Sequence, residues 1–168
     1  CCSMGRIFDA VASLLNLCDK QNYEGEAALL LQNLAEEFTN IHGYNINESG
    51  LTIAPGQNLD QSHRHHAQLM AIHPLGLLNV EDSTGNDIIR KSLRHLEKIG
   101  TREWCGYSFS WAANIYARAK EADNAVKMLQ IFASNFCSSN SFHLNGDQKG
   151  GQYSNFTYRP FTLEGNFA

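Results

Sequence analysis

A run of about eighteen apolar residues, the length a membrane-crossing helix requires, occurs nowhere in this chain. The opening residues also lack the charged-then-apolar order of a signal peptide. A membrane is therefore not an expected partner. Basic runs are missing as well: 13 Lys and Arg lie interspersed among 17 Asp and Glu, for a formal net charge of −4. That leaves no electrostatic footprint for a nucleic-acid backbone. Five cysteines, Cys1, Cys2, Cys18, Cys105 and Cys137, form no CxxC pair and leave an odd thiol, which argues against a disulfide framework and a structural zinc site.

What is present is an ordinary globular composition, 43% hydrophobic and 18% charged over 168 residues, enough to build a real core. Apolar side chains at Ile7, Phe8, Val11, Leu14, Leu15 and Cys18 have helical spacing across residues 4 to 18, and Leu30, Leu31, Leu34 and Phe38 repeat it over residues 26 to 38. Two amphipathic helices joined near Tyr23-Glu24-Gly25 are predicted. From His42 to Asp60 the texture turns to Gly, Asn, Ser and Pro, a long loop in which Leu51 to Ile53 makes at most a short strand. Ser62 is the expected N-cap of a helix running through Leu69, Met70 and Ile72 and stopped by Pro74 and Gly76.

Ile88, Ile89, Leu93 and Leu96 share one face of a helix over residues 86 to 99. Residues 108 to 120 and 122 to 136 read as an antiparallel helix pair with a tight joint at Glu121, packed through Trp111, Ile115, Val126, Leu129 and Phe132. Beyond Phe136 the chain is polar and Gly-rich to Ser154. The fold class expected is mainly α, built from helical hairpins joined by long polar loops. His63, His65, His66 and His73 offer imidazoles, but on a helix His63 and His65 point apart and no adjacent Cys or Asp completes a ligand set, so no metal is expected.

Several blocks occur in one order: Glu48-Ser49-Gly50-Leu51, Ala54-Pro55-Gly56, Ser62-His63-Arg64-His65, residues 69 to 76, Gly106-Tyr107-Ser108-Phe109-Ser110-Trp111, and Leu163-Glu164-Gly165-Asn166-Phe167 near the end. Together, from about Asn47 to Ala168, they resemble glycoside hydrolase family 95, whose members act on α-L-fucosides and α-L-galactosides. The resemblance implies part of an (α/α)6 toroid, a carbohydrate partner carrying an L-fucosyl or L-galactosyl unit, no cofactor, and a secreted or periplasmic location. It also implies an inverting reaction, with two carboxyl groups roughly 6.5–9.5 Å apart around a water. Glu164 occupies the position of the general base, where many members of that family have Asp. Arg64 and His65 match the sugar-contacting pair, with Trp111 and Asn166 as further substrate contacts. A guanidinium supplies fixed donors and an imidazole can both donate and accept, which suits hydroxyl recognition. The general acid of that family has no counterpart here, so the chain is expected to be inactive alone.

The first forty residues differ. Residues 3 to 15, Ser-Met-Gly-Arg-Ile-Phe-Asp-Ala-Val-Ala-Ser-Leu-Leu, followed by Tyr23-Glu24-Gly25-Glu26-Ala27-Ala28, resemble the C-terminal region of the hydrogenase-maturation carbamoyltransferases. That resemblance implies a segment of a nucleotide-handling domain, with Asp9 and Gly25 at the positions most like nucleotide contacts. The phosphate-binding glycines and histidines found elsewhere in such domains are not in this segment, so nucleotide binding by it alone is not expected. The two resemblances meet between about Phe38 and Asn47. The expected organisation is residues 1 to 40 as a helical segment of separate origin and 41 to 168 as a partial hydrolase domain, a fragment or a junction of two coding sequences.

Overall fold

A computed structural model describes residues 4–23, 25–42 and 44–159, without the side chains of residues 4–6 and 36–42. Phe38, Glu164 and Asn166, singled out above, lie outside the described side chains. The described residues are mainly α-helical and fall into two compact units, residues 1–44 and residues 45–168. Among them no helix is long and apolar enough to cross a membrane.

The first unit contains α1 (Met4–Leu14) and α2 (Glu26–His42). α1 stops earlier than its apolar pattern, because Asn16 takes a left-handed φ of +56° and the Leu17 N–H folds back onto the Ala12 carbonyl at 2.8 Å. The helix C-terminus is closed by that turn. The two helices meet where side chains are small: Ala12 and Ala27 are both buried.

The second unit opens with a two-residue hairpin, β1 (Ile46–Asn47) antiparallel to β2 (Gly50–Leu51), with Ile46 opposite Leu51. The strand thus precedes the one expected at Leu51 to Ile53. It is set by Gly50, whose φ is +100° and where a Cβ would lie 2.6 Å from the Ser92 nitrogen. Only glycine fits that approach. The Leu51 N–H then donates to the Ser92 hydroxyl at 2.9 Å, so the hairpin is pinned to α3 (Ser83–Ile99). α3 begins three residues before the expected Asn86 because the Asp82 carboxylate caps it, accepting from the Gly85 N–H at 2.6 Å. Ile88, Ile89, Leu93 and Leu96 are buried along one face, as their spacing predicts.

No α-helix starts at Ser62. Its hydroxyl instead donates to the Gly100 carbonyl at 2.9 Å and accepts from the Glu103 N–H at 3.0 Å, and the only helical turn nearby is a 3-10 segment, Ala67–Leu69. A tertiary partner has taken the capping oxygen.

α4 (Gly106–Arg118) and α5 (Ala122–Asn135) form the predicted antiparallel pair, hinged where Lys120 adopts a φ of +58°. Their packing is rotated from expectation. Val126 and Leu129 are 52% and 49% exposed, while Ala125, Met128, Ile131 and Asn135 face inward. The rotation follows from Asn135, whose buried amide donates to the Asp147 carboxylate at 3.1 Å. A buried amide must find such a partner. Phe109 of α4 and Phe136 complete the core with ring centroids 4.9 Å apart. Among the described residues the architecture is mainly helical, with two α-helices in one unit and three in the other; it does not establish a toroid.

Candidate functional site

In the second unit, the segment from Ser62 to His66 lies across the start of α4. The Ser108 hydroxyl donates to the Arg64 carbonyl at 2.6 Å, and the His66 Nε2 lies 3.0 Å from the Ser108 carbonyl. Ser108 also accepts from the Cys105 N–H at 3.2 Å, closing the first turn of the helix. One serine therefore holds the loop and caps α4.

His66 is fully buried, edge-on to Trp104 at 4.5 Å and tilted against Trp111 at 5.3 Å. A carbonyl facing Nε2 selects the tautomer with its proton there, which leaves Nδ1 as a buried acceptor with no partner among the described residues. Protonation would place a second donor in an aromatic cage. Burial, opposed by the Ser108 carbonyl and aided by His65 and His63, accordingly pushes the His66 pKa down to about 4. A neutral, caged imidazole of this kind organises structure and is out of reach of a substrate.

His63 and His65 are exposed and, contrary to the helical expectation, lie close together with ring centroids 5.2 Å apart; His65 also stacks on Tyr107 at 5.7 Å. They converge because the segment is not helical. Arg64 is exposed beside them. Trp111 is half-buried, and its indole N–H donates to the His73 carbonyl at 3.1 Å, while Trp104 is buried and offers no face for stacking. Among the described residues, no three His, Cys, Asp or Glu side chains gather as metal ligands.

The first unit holds a smaller polar cluster between its helices. Gln21 donates to the Asp9 carboxylate at 2.6 Å, tying the connecting loop back onto α1. At the start of α2, the Asn22 N–H donates to the Glu26 carboxylate at 2.5 Å, and these contacts hold the Glu26 pKa below its ordinary value. Gly25 sits between them with a φ of +85° and open space where a Cβ would project.

Compared with known families, residues 1–75 match the family described as carbamoyltransferase, Kae1-like domain, second subdomain. A comparison with curated proteins found no match. The match overturns the reading of the chain as an α-L-fucosidase-like or α-L-galactosidase-like glycoside hydrolase. Three of the blocks on which that reading rested, Glu48 to Leu51, Ala54 to Gly56 and Ser62 to His65, fall inside the carbamoyltransferase match, which begins with the N-terminal resemblance and runs past the boundary between the two units at 44 and 45 to residue 75. The sugar contacts assigned to Arg64, His65, Trp111 and Asn166 and the general-base role assigned to Glu164 rested on the hydrolase resemblance alone; Glu164 and Asn166 lie outside the described residues.

Asp147 was missed. It is buried at the centre of the Gly-rich loop, accepting from the backbone N–H groups of Lys149 and Tyr153, each at 2.8 Å, and from Asn135. Burial raises its pKa, but those donors outweigh burial and hold it below the ordinary carboxylate value. Two glycine-containing turn dipeptides, Asn145-Gly146 and Gly150-Gly151, flank it in the sequence, yet backbone donors leave no side-chain signature.

Proposed function

We propose that this chain carries the second subdomain of a Kae1-like carbamoyltransferase domain in its first 75 residues, and that it serves carbamoyl transfer of the hydrogenase-maturation type. The family match over residues 1–75 is the observation that carries the reading. Asp9 and Gly25, the positions most like nucleotide contacts, are linked through one loop: Asp9 fastens Gln21, and Gly25 presents an open backbone at the start of α2. A carboxylate and an unobstructed glycine suit the ribose and phosphate sides of a nucleotide respectively, since hydroxyls donate to the one and a Cβ would obstruct approach to the other.

The test is ATP-dependent consumption of carbamoyl phosphate by the protein. Asp9→Asn is expected to lower it about tenfold, the scale of one hydrogen bond to a charged group. Gln21→Ala breaks the same internal contact and keeps the carboxylate, so it should retain activity. Because the phosphate-binding groups of such domains are not in this segment, the assay includes a first Kae1-like subdomain; unchanged carbamoyl phosphate in that mixture with ATP would dismiss the proposal.

A further inference from the structure

Four of the thirteen Lys and Arg residues, Arg90, Lys91, Arg94 and Lys98, crowd into nine positions of α3 in a chain whose net charge is −4. Opposite them stands the turn of the β1–β2 hairpin. Between the two is a cleft of about 240 Å³ lined by Glu48, Ser49, Lys91, Arg94, His95 and Lys98. Its walls are fixed by the close Gly50 to Ser92 approach and by the Leu51 to Ser92 hydrogen bond.

The partners of these cations decide what the cleft can hold. Lys91 is paired with Asp87 at 2.6 Å, and the His95 ring is engaged by the Leu59 carbonyl at 2.9 Å with Asp60 at 3.6 Å. Arg94 uses only its Nε, on the Arg90 carbonyl at 3.2 Å, and its two terminal nitrogens have no partner among the described residues. Lys98 has none either, and the Ser49 hydroxyl is unengaged. On the far side of Arg94, a neighbouring cleft of about 350 Å³ sets Glu97 and Glu121 against Arg90 and Arg94, with Arg90 paired to Glu121, so it has no excess of positive charge to hold an anion.

We propose that the cleft between the hairpin turn and α3 binds the phosphate group of a small phosphorylated compound, held by the Arg94 guanidinium and the Lys98 ammonium with the Ser49 hydroxyl as an added donor. Guanidinium and phosphate match as a forked donor pair on two oxygens, and an ammonium adds a point charge. The size of the cleft suits a small ligand. Glu48 is the one lining carboxylate, and it weakens binding. These residues other than Glu48 and Ser49 lie beyond the family match, so the proposal stands apart from carbamoyl transfer.

The experiment is an amide chemical-shift titration of the protein with inorganic phosphate, and then with glycerol phosphate, at constant ionic strength. Saturable shifts confined to residues 48–51 and 90–98 are expected. Arg94→Gln and Lys98→Gln should each weaken binding about tenfold, and Glu48→Gln should tighten it. All three side chains are on the surface, so the fold is retained. Shifts that chloride reproduces at the same ionic strength, or an affinity that Glu48→Gln and Lys98→Gln leave unchanged, would overturn the site. Tight binding of a nucleic acid with no response to phosphate would also overturn it, because the face would then read an extended polyanion.

Discussion

Leu14, the last residue of α1, is 82% exposed, whereas Phe109 in the first turn of α4 is wholly buried. Both belong to helices whose apolar residues recur at helical spacing. In the first unit that spacing leads to little burial: Ile7, Phe8, Val11 and Leu15 are also exposed, and among the described side chains only Ala12 and Ala27 are covered. In the second unit the pattern meets partners on several sides, with α3, the hairpin, α5 and Trp104 in the loop before α4 all contributing buried residues. Amphipathic spacing therefore specifies a helix without specifying what covers it. A pair of helices can hide only its own seam.

The largest expected effect is a test of that contrast. Phe109→Ala removes a ring from contact with Trp104, Phe136 and Tyr153 and should cost about 3–5 kcal/mol. Both tryptophans, Trp104 and Trp111, lie in the second unit, so denaturation followed by their fluorescence reports on that unit. A loss below about 1 kcal/mol would mean that the core is loosely packed and the contrast is false.

The second effect sharpens the comparison through pH. His66 is neutral when folded, with a pKa of about 4 against an ordinary 6.5, so the unfolded chain binds the extra proton. The stabilisation is complete above the ordinary value and is lost as pH falls towards the folded one. Its ceiling is on the order of 3 kcal/mol. Burial lowers the pKa of His65 and His73 in the same direction, which makes the difference between wild type and His66→Phe the informative quantity. The Phe variant should lose most of the slope between pH 6.5 and 4; an unchanged slope assigns it to other groups.

The helices were legible from the sequence because their causes are local. Ile88, Ile89, Leu93 and Leu96 needed only periodicity to be placed on one face. Ser62 failed as a cap because its oxygen bonds to Gly100 and Glu103, about forty residues distant, and no local pattern encodes such a partner. α5 was rotated wrongly for a related reason: Val126 and Leu129 are more apolar than Asn135, yet Asp147 makes Asn135 the residue that turns inward. At the candidate site, the Asp9 and Gly25 neighbourhood was visible as a dense block. Its extension to residue 75 was hidden because short motifs such as Ser62 to His65 can be fitted to more than one family.

The smallest effect is the most discriminating for the first unit. Leu14→Ala removes an isobutyl group that is mostly in water and substitutes a slightly better helix former, so unfolding should change by no more than about 0.5 kcal/mol. Hydrogen exchange of the α1 amides is the suitable measurement, since it follows that helix directly. Wild type and variant should exchange at closely similar rates. If the substitution instead speeds α1 exchange by tenfold or more, corresponding to about 1.4 kcal/mol, Leu14 is covered in solution. The two units would then bury their helices alike, and the contrast between Leu14 and Phe109 would vanish.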